Sequence, residues 1–170
     1  DDDDDEDLWH VFGGGDVPTY ATKVNFSVVN NLISALATDD QPLLVEYLER
    51  YDPNIGDDAN LAATLIEKGL NYYRDQVLPN KHFRPPTDKE RSLFGQIRDQ
   101  LSVTENGDES ELQAIPFNVA RESGVEPKDL FRAMYEVLLG QERGPRFGSF
   151  VLLLGKERVV EMLSKKAAAN

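Results

Sequence analysis

Apolar residues recur at every third or fourth position along most of the chain after residue 25, the spacing that places them on one face of an α-helix. The alternation of apolar and polar residues that is typical of a strand is not found. The pattern therefore predicts an all-α fold, an irregular bundle of about seven to eight helices. The predicted helical segments are residues 25–37, 42–51, 58–78, 88–101, 111–122, 127–139, 147–154 and 156–169.

Several of these segments carry specific helix signals. Residues 87–90, Thr-Asp-Lys-Glu, form a capping box, in which two side chains satisfy free backbone N–H groups at a helix start. Ser110 with Gln113 repeats that signal for the next helix, and Pro116 is expected to kink that helix or divide it in two. Gly69 lies inside a predicted helix, where it costs about 1 kcal/mol relative to alanine. A close contact with another helix is the expected reason for this glycine.

The most informative break between helices is the segment 140–146, Gly-Gln-Glu-Arg-Gly-Pro-Arg. Gly140 is suited to the left-handed residue that ends a helix, and Pro145 lies where the next helix can begin. Arg143 and Arg146 then fall near a helix start, where a cation gains nothing from the helix dipole. The pair is expected either to bind an anionic partner or to be solvated or paired with a neighbouring helix.

A second cationic segment is the loop 79–86, which is stiffened by prolines at both ends. It contains Lys81, His82 and Arg84 around the aromatic ring of Phe83. Cations interleaved with an aromatic ring can hold phosphates and stack a nucleobase. In the alternative interpretation, Phe83 plugs the bundle while Lys81 and Arg84 are merely solvated.

Composition limits the chemistry that the chain can perform. The 170 residues, of which 40% are hydrophobic, suit one domain with a substantial core. The chain has no cysteine and only His10 and His82 as imidazoles, so disulfides and thiolate metal sites are excluded. No metalloprotease, nucleophile-elbow or P-loop motif is present. These features predict a binding function, with no catalytic residue and no metal or cofactor in this chain.

The first part of the chain differs from the rest. Its first seven residues are all acidic and are expected to be disordered, and the glycine-rich segment that follows is interpreted as a linker in which Trp9 and His10 anchor the arm to a surface. Because the chain begins with Asp, we expect it to be a fragment of a larger protein.

No apolar run approaches the roughly 18 residues of a membrane span, so we expect a soluble, cytoplasmic protein. The predicted organisation is a lead-in, 1–17, and a helical domain, 18–170, which can be divided further into subdomains 18–104 and 105–170.

The charge is strongly negative but unevenly distributed. The formal net charge is −13, which argues against nucleic-acid binding because counterion release needs clustered Lys and Arg. Residues 121–170, however, contain nine basic against seven acidic residues, whereas residues 1–120 contain nine against twenty-four. Any nucleic-acid contact surface is therefore expected to be small and one-sided, and the binding by this chain alone to be weak.

Longer stretches of the sequence resemble a known family. Residues 131–150, FRAMYEVLLGQERGPRFGSF, and 153–157, LLGKE, resemble the carboxyl-terminal end of class I lysyl-tRNA synthetases. Residues 26–37 and 69–75 are similar to earlier helices of that family, and residues 9–11 to the segment that follows its catalytic body.

This resemblance implies a fold like the anticodon-binding domains of class I aminoacyl-tRNA synthetases. It also implies a missing catalytic domain that uses ATP, with Mg, to attach lysine to tRNA, since the His-x-Gly-His and Lys-Met-Ser-Lys-Ser signatures of that domain are absent here. The implied partners are the anticodon arm of lysine tRNA and the protein's own catalytic domain. The role of this chain would then be to position the tRNA.

Residue chemistry, and not the family pattern, selects the RNA-binding candidates. The first are Arg143 and Arg146, with Arg132 and Lys128 as an extension, and the second patch is Lys81, His82, Phe83 and Arg84. Two alternatives stay open: a helical protein-interaction module, in which the arginines pair with protein carboxylates, and the corresponding bundle of a glutamyl-type tRNA synthetase.

Overall fold

The computed structural model describes residues 22–105 and 107–168, and within them all regular secondary structure is helical, without strands. The predicted all-α bundle is thereby confirmed. The helices are α1 Phe26–Leu36, α2 Gln41–Tyr51, α3 Ala59–Tyr72, α4 Asp88–Val103, α5 Glu109–Ser123, α6 Pro127–Met134, α7 Phe147–Leu154 and α8 Lys156–Ala167. Single wider π-helical turns, Tyr73–Val77 and Tyr135–Leu139, extend α3 and α6, and short 3-10 turns cover Pro53–Asp57 and Leu78–Asn80.

The short helix α7 lies in the middle of the bundle, as its almost wholly apolar sequence predicts. It packs against α1, α2, α5 and α8. The approach to α5 is close, because a Cβ atom on Gly148 would lie 2.3 Å from the carbonyl oxygen of Glu109. The buried apolar side chains of all eight helices join in one cluster, and α4 packs along α8.

The helix starts are capped largely as predicted, with one correction. Thr87 and Glu90 form the expected capping box of α4. The box of α5, however, is made by Asp108 and Glu111, and the prediction of Ser110 with Gln113 is wrong: the Asp108 carboxylate accepts from the Glu111 N–H at 2.8 Å, and Glu111 accepts from the Asp108 N–H at 2.9 Å.

Two further sequence expectations concern residues inside helices. A Cβ atom on Gly69 would lie 2.9 Å from Cδ1 of Ile33 and 3.0 Å from Cγ1 of Val29, so the predicted close contact between helices is confirmed for α3 and α1. Pro116 does not divide its helix, because α5 continues through it with the proline ring buried. Only one backbone N–H is lost at a proline, and burial of the surrounding apolar face offsets that loss.

The predicted lead-in, with Trp9 and His10, lies outside the residues that the structure describes. Within the described ranges, none of the helices has the length and apolar character needed to cross a membrane.

Candidate nucleic-acid interface

Tertiary packing brings the two cationic segments of the sequence together. The backbone N–H of His82 donates to the carbonyl of Gly140 at 2.7 Å, and the ring of Phe83 lies directly against Gly140. Gly140 has a φ of +73°, and a Cβ atom there would be 2.8 Å from Cε1 of Phe83. A glycine is therefore required both for the left-handed backbone and for the approach of the ring. We call the combined set, residues 81–84 and 140–146, the corner surface.

The backbone of the corner is held from beneath by Tyr135. This residue begins the π-helical turn that ends α6, and its hydroxyl donates to the carbonyl of Pro145. A Cβ atom on Gly144 would lie 2.7 Å from Cδ1 of the same ring, so the chain passes closely over it. Burial raises the pKa of the Tyr135 hydroxyl, which therefore remains protonated and able to donate at neutral pH. The segment between Gly140 and Arg146 is thus a fixed platform.

The two corner arginines have different surroundings. Arg143 is exposed, and its side chain makes no ion pair with any residue in 22–105 or 107–168. Arg146 precedes α7, which begins at Phe147, and its Nε lies 3.7 Å from Oε2 of Glu109 with the side chain 69% exposed. Such a long, exposed pair contributes little and can exchange partners. Among the described residues Arg143 is therefore solvated and Arg146 weakly paired, and neither arrangement prevents contact with an anionic partner.

Lys81 is bound to the protein and half-buried. Its Nζ donates to the carbonyl of Ser34 at 2.7 Å and lies 5.2 Å from the ring centre of Tyr73 and 5.4 Å from that of Phe83. Burial lowers the pKa of Lys81 to about 8. The alternative in which Lys81 is merely solvated is wrong. Instead, this side chain ties the loop to the end of α1 and supports the ring of Phe83 from one side.

Arg84 is also occupied within the protein. It makes a two-pronged contact with Glu90, at 2.8 and 3.0 Å, and its Nε lies 2.8 Å from Oε1 of Glu136. These carboxylates raise the pKa of Arg84 above its ordinary value, and Arg84 in turn lowers the pKa values of Glu90 and Glu136. Arg84 is therefore not merely solvated but joins the loop to α4 and α6.

The exposure of Phe83 decides between the interpretations of this loop. Its ring is 57% exposed, so it does not plug the bundle. The side chain of His82 is exposed as well. The loop therefore presents a largely exposed aromatic ring, which contacts Gly140 and has Lys81 on one side.

The extension proposed along α6 consists of one paired and one free cation. Arg132 is exposed but contacts Glu136 at 3.2 Å and Glu142 at 3.1 Å. Lys128 is exposed and makes no ion pair in the described part of the chain. Of the exposed Arg and Lys candidates, Arg143, Arg146 and Lys128 are thus available to an anionic ligand without breaking a short ion pair.

The sequence does not predict the row of rings that lies beside the corner. Phe117 on α5 meets Phe131 edge-on, with ring centres 5.2 Å apart, and Phe131 stacks on Tyr135 at 6.4 Å. Phe131 and Tyr135 lie four residues apart, the spacing that places two side chains on one helix face, but no sequence pattern links that face to Phe117 on another helix. Phe117 is 41% exposed, and its helical position alone did not reveal this.

The surface therefore combines an exposed aromatic ring, a rigid backbone corner and unpaired cations, which is the chemistry of proteins that bind single-stranded RNA. Residues 32–166 match the family described as the anticodon binding domain. The chain belongs to this family.

The most similar relatives include lysine–tRNA ligases of several bacteria. One from Roseobacter denitrificans is 35% identical over 165 residues, which are 96% of this chain and 31% of the relative. One from Rickettsia peacockii is 30% identical over 160 residues, covering 92% of this chain and 30% of the relative. The chain thus spans just under a third of the length of the curated relatives it matches.

Proposed function

We propose that this chain is the region of a lysine–tRNA ligase that holds the anticodon arm of lysine tRNA. The family match and the names of the relatives support this assignment. In the proposed whole protein, a separate catalytic domain binds ATP with Mg and joins lysine to the tRNA in the cytoplasm. This chain contributes no reacting group. Its contribution is to fix the distant end of the tRNA so that the acceptor end reaches the active site.

The observation that carries the proposal is the exposed ring of Phe83 on the rigid corner that bears Arg143 and Arg146. Anticodon bases are single-stranded and can leave their stack, and every base has a face that stacks on an aromatic ring. In this proposal one base stacks on Phe83, while Arg143 and Arg146 contact the phosphates of the loop. Arg146 exchanges its long contact with Glu109 for a phosphate oxygen.

The remaining candidates receive supporting roles in the proposal. Lys81 orients Phe83, and Arg84 and Arg132 hold the carboxylates of Glu90 and Glu136 away from the RNA. Without these pairs, the carboxylates would repel the phosphate backbone. Lys128 and His82 supply further contacts at the border of the surface.

The test is a titration of this chain with the anticodon stem-loop of lysine tRNA at low salt. Replacing Arg143 and Arg146 together by alanine is expected to weaken binding at least tenfold, since each charged contact contributes on the order of 1 kcal/mol or more. Arg50→Ala with Lys68→Ala is the matched control, because both side chains are exposed cations on α2 and α3. A stem-loop with a changed anticodon is expected to bind more weakly to the wild-type chain. Equal binding by the arginine variant and the wild type would refute the proposal.

The net charge of −13 favours a second candidate function, docking on the catalytic part of the same protein. The corner arginines would then meet protein carboxylates. In that case the arginine variant would bind the stem-loop unchanged but would lose affinity for the separately prepared catalytic part. A whole protein that charges tRNA with glutamate would instead indicate the glutamyl-type relative.

A further inference from the structure

A row of three rings, Phe117, Phe131 and Tyr135, lies beside the corner, and only Tyr135, which supports the corner, has a role in the function proposed above. Tyr135 lies under the corner, in contact with Gly144 and Pro145. Phe131 stacks on Tyr135, and Phe117 stands edge-on to Phe131 at the far end of the row. Of the three, only Phe117 is largely exposed, at 41%. The row thus runs from Tyr135, which contacts the corner, to Phe117, which is exposed to solvent.

Cations accompany this row along its length. On α6 and its π turn, Lys128, Phe131, Arg132 and Tyr135 follow the spacing that places them on one helix face. On α5, Arg121 follows Phe117 by four residues and is exposed, with its guanidinium donating to Asn118 at 2.6 Å. An alternation of rings and cations is typical of surfaces that follow a single nucleic-acid strand, whose bases stack while its phosphates meet Lys and Arg.

We propose that Phe117 is a second stacking platform, which takes another unpaired base of the same RNA loop. This inference rests on the proposed function and extends its contact surface. Phe83 contacts the corner at Gly140, and the ring row contacts it at Gly144 and Pro145, so Arg143 lies along the chain between the two contacts and Arg146 directly follows the second. Arg121 and Lys128 hold the phosphates that flank the second base.

The ring of Phe117 is held in place before the RNA arrives. Its edge-on contact with Phe131 fixes the ring plane, and the Tyr135 hydroxyl bond to Pro145 fixes the other end of the row. A ring that is already ordered loses little conformational entropy on binding. Its contact with a base therefore costs less free energy than the same contact made by a flexible side chain.

The experiment compares Phe117→Ala with Phe117→Tyr in the same stem-loop titration. The alanine variant is expected to bind about 5- to 150-fold more weakly, the range for loss of one stacked base, and the tyrosine variant to bind like the wild type. Thermal unfolding monitored by circular dichroism controls for folding of each variant. Wild-type affinity in the alanine variant would overturn the inference and would leave the exposed ring available to a protein partner instead.

Abasic substitutions identify the partner of the ring. Loop nucleotides are replaced one at a time by abasic ones, and each RNA is titrated with the wild-type and Phe117→Ala chains. At the nucleotide whose base stacks on Phe117, the abasic change and Phe117→Ala are each expected to lower the affinity. Together they should lower it by less than the sum of the two effects, because both remove the same stacking contact. Additive losses at every position would contradict the stacking role.

A fluorescent ring gives an independent readout. In a chain carrying Trp9→Phe, which removes the native tryptophan, Phe117→Trp should be quenched on binding the stem-loop. Val103→Trp, at a residue that is 78% exposed at the end of α4, should not be. Unquenched fluorescence at position 117 in the bound state would overturn the inference. Failure of the wild-type chain to bind any tRNA would refute the proposed function itself, whereas binding that depends on Arg143 and Arg146 but not on Phe117 would refute only the second platform.

Discussion

Gly140 joins the two parts of the corner surface. It ends α6 in a left-handed conformation, and its missing side chain leaves room for the ring of Phe83. Gly124 ends α5 with nearly the same φ, +72°, but has nothing within 4 Å of the position a Cβ would take. Alanine substitution at Gly124 therefore introduces backbone strain alone, whereas alanine at Gly140 introduces the same strain and also displaces the ring of Phe83. Comparing the two variants separates the two free-energy costs.

We expect Gly124→Ala to lower the free energy of unfolding by about 1–2 kcal/mol, the cost of a left-handed alanine. Gly140→Ala should cost about 2–4 kcal/mol, since overpacking against Phe83 adds to the same strain. It should also weaken stem-loop binding, because the ring must move. Urea unfolding and the titration measure both effects. Equal costs for the two variants would show that the contact between Gly140 and Phe83 is unimportant.

Lys81 makes the stability of the protein depend on pH. Its pKa in the folded chain is about 8, below the ordinary value of 10.5, so the unfolded chain binds more protons at this residue between those pH values. The free energy of unfolding of the wild type should therefore rise with pH over this window relative to Lys81→Met. Urea unfolding at pH 7.5 and 10 tests this, with Lys68→Met as the exposed control. Parallel pH profiles of the wild type and Lys81→Met would contradict the assignment.

At the scale of elements, packing between helices sets the position of the loop. The contact of α3 with α1 at Gly69 brings the end of α3, with Tyr73, next to the last turn of α1, where Ser34 accepts the ammonium of Lys81. Gly95 in α4 offers a matched comparison. A Cβ atom on Gly95 would lie 3.5 Å from Nη2 of Arg98 and 3.7 Å from Cβ of Ala167, which are ordinary van der Waals contacts.

We expect Gly95→Ala to stabilise the protein by up to about 1 kcal/mol, the difference in helix propensity. Gly69→Ala gains the same propensity but must displace Ile33 and Val29, which costs about 1–3 kcal/mol. Its free energy of unfolding should therefore fall about 1–3 kcal/mol below that of Gly95→Ala. Thermal or urea unfolding of both variants measures the difference, and a Gly69→Ala protein as stable as Gly95→Ala would show that α1 can move away from α3 without cost.

At the scale of the whole molecule, the net charge of −13 opposes the approach of RNA, so binding depends on a local arrangement of cations. Four carboxylates at or beside the corner surface each contact an arginine, namely those of Glu90, Glu109, Glu136 and Glu142. The surface is thus locally neutralised within an acidic protein.

Salt dependence should reveal how many phosphates the surface contacts. Each contact to a single strand contributes about 0.7 to the slope of log K against log salt. Removing Arg143 and Arg146 should therefore reduce the slope by about 1.4, whereas Arg50→Ala with Lys68→Ala should leave it unchanged. Titrations at four or more salt concentrations measure both slopes. An unchanged slope in the arginine variant would show that these side chains do not contact phosphates.

The sequence by itself determined the all-α class, the left-handed glycine before the corner, the capping box of α4 and the close contact at Gly69. These features arise from interactions within about four residues or from the steric demands of one residue type, which a linear sequence displays. The capping box of α5 was predicted at the wrong residues because Asp108 and Ser110 are both suitable N-cap residues by type. Only the observed hydrogen bonds show that Asp108 is the cap.

Only the tertiary structure decided how the candidate residues work together. The loop and the corner meet through contacts such as the hydrogen bond from the His82 N–H to the Gly140 carbonyl, and Arg84 of the loop contacts Glu136, which lies 52 residues further along the sequence. The same packing leaves Phe83 and Phe117 exposed and pairs Arg84 with carboxylates. It leaves Arg143 without an ion pair among the described residues. Exposure and pairing depend on which helix surfaces become neighbours, and helical periodicity specifies the faces that are buried but not their partners.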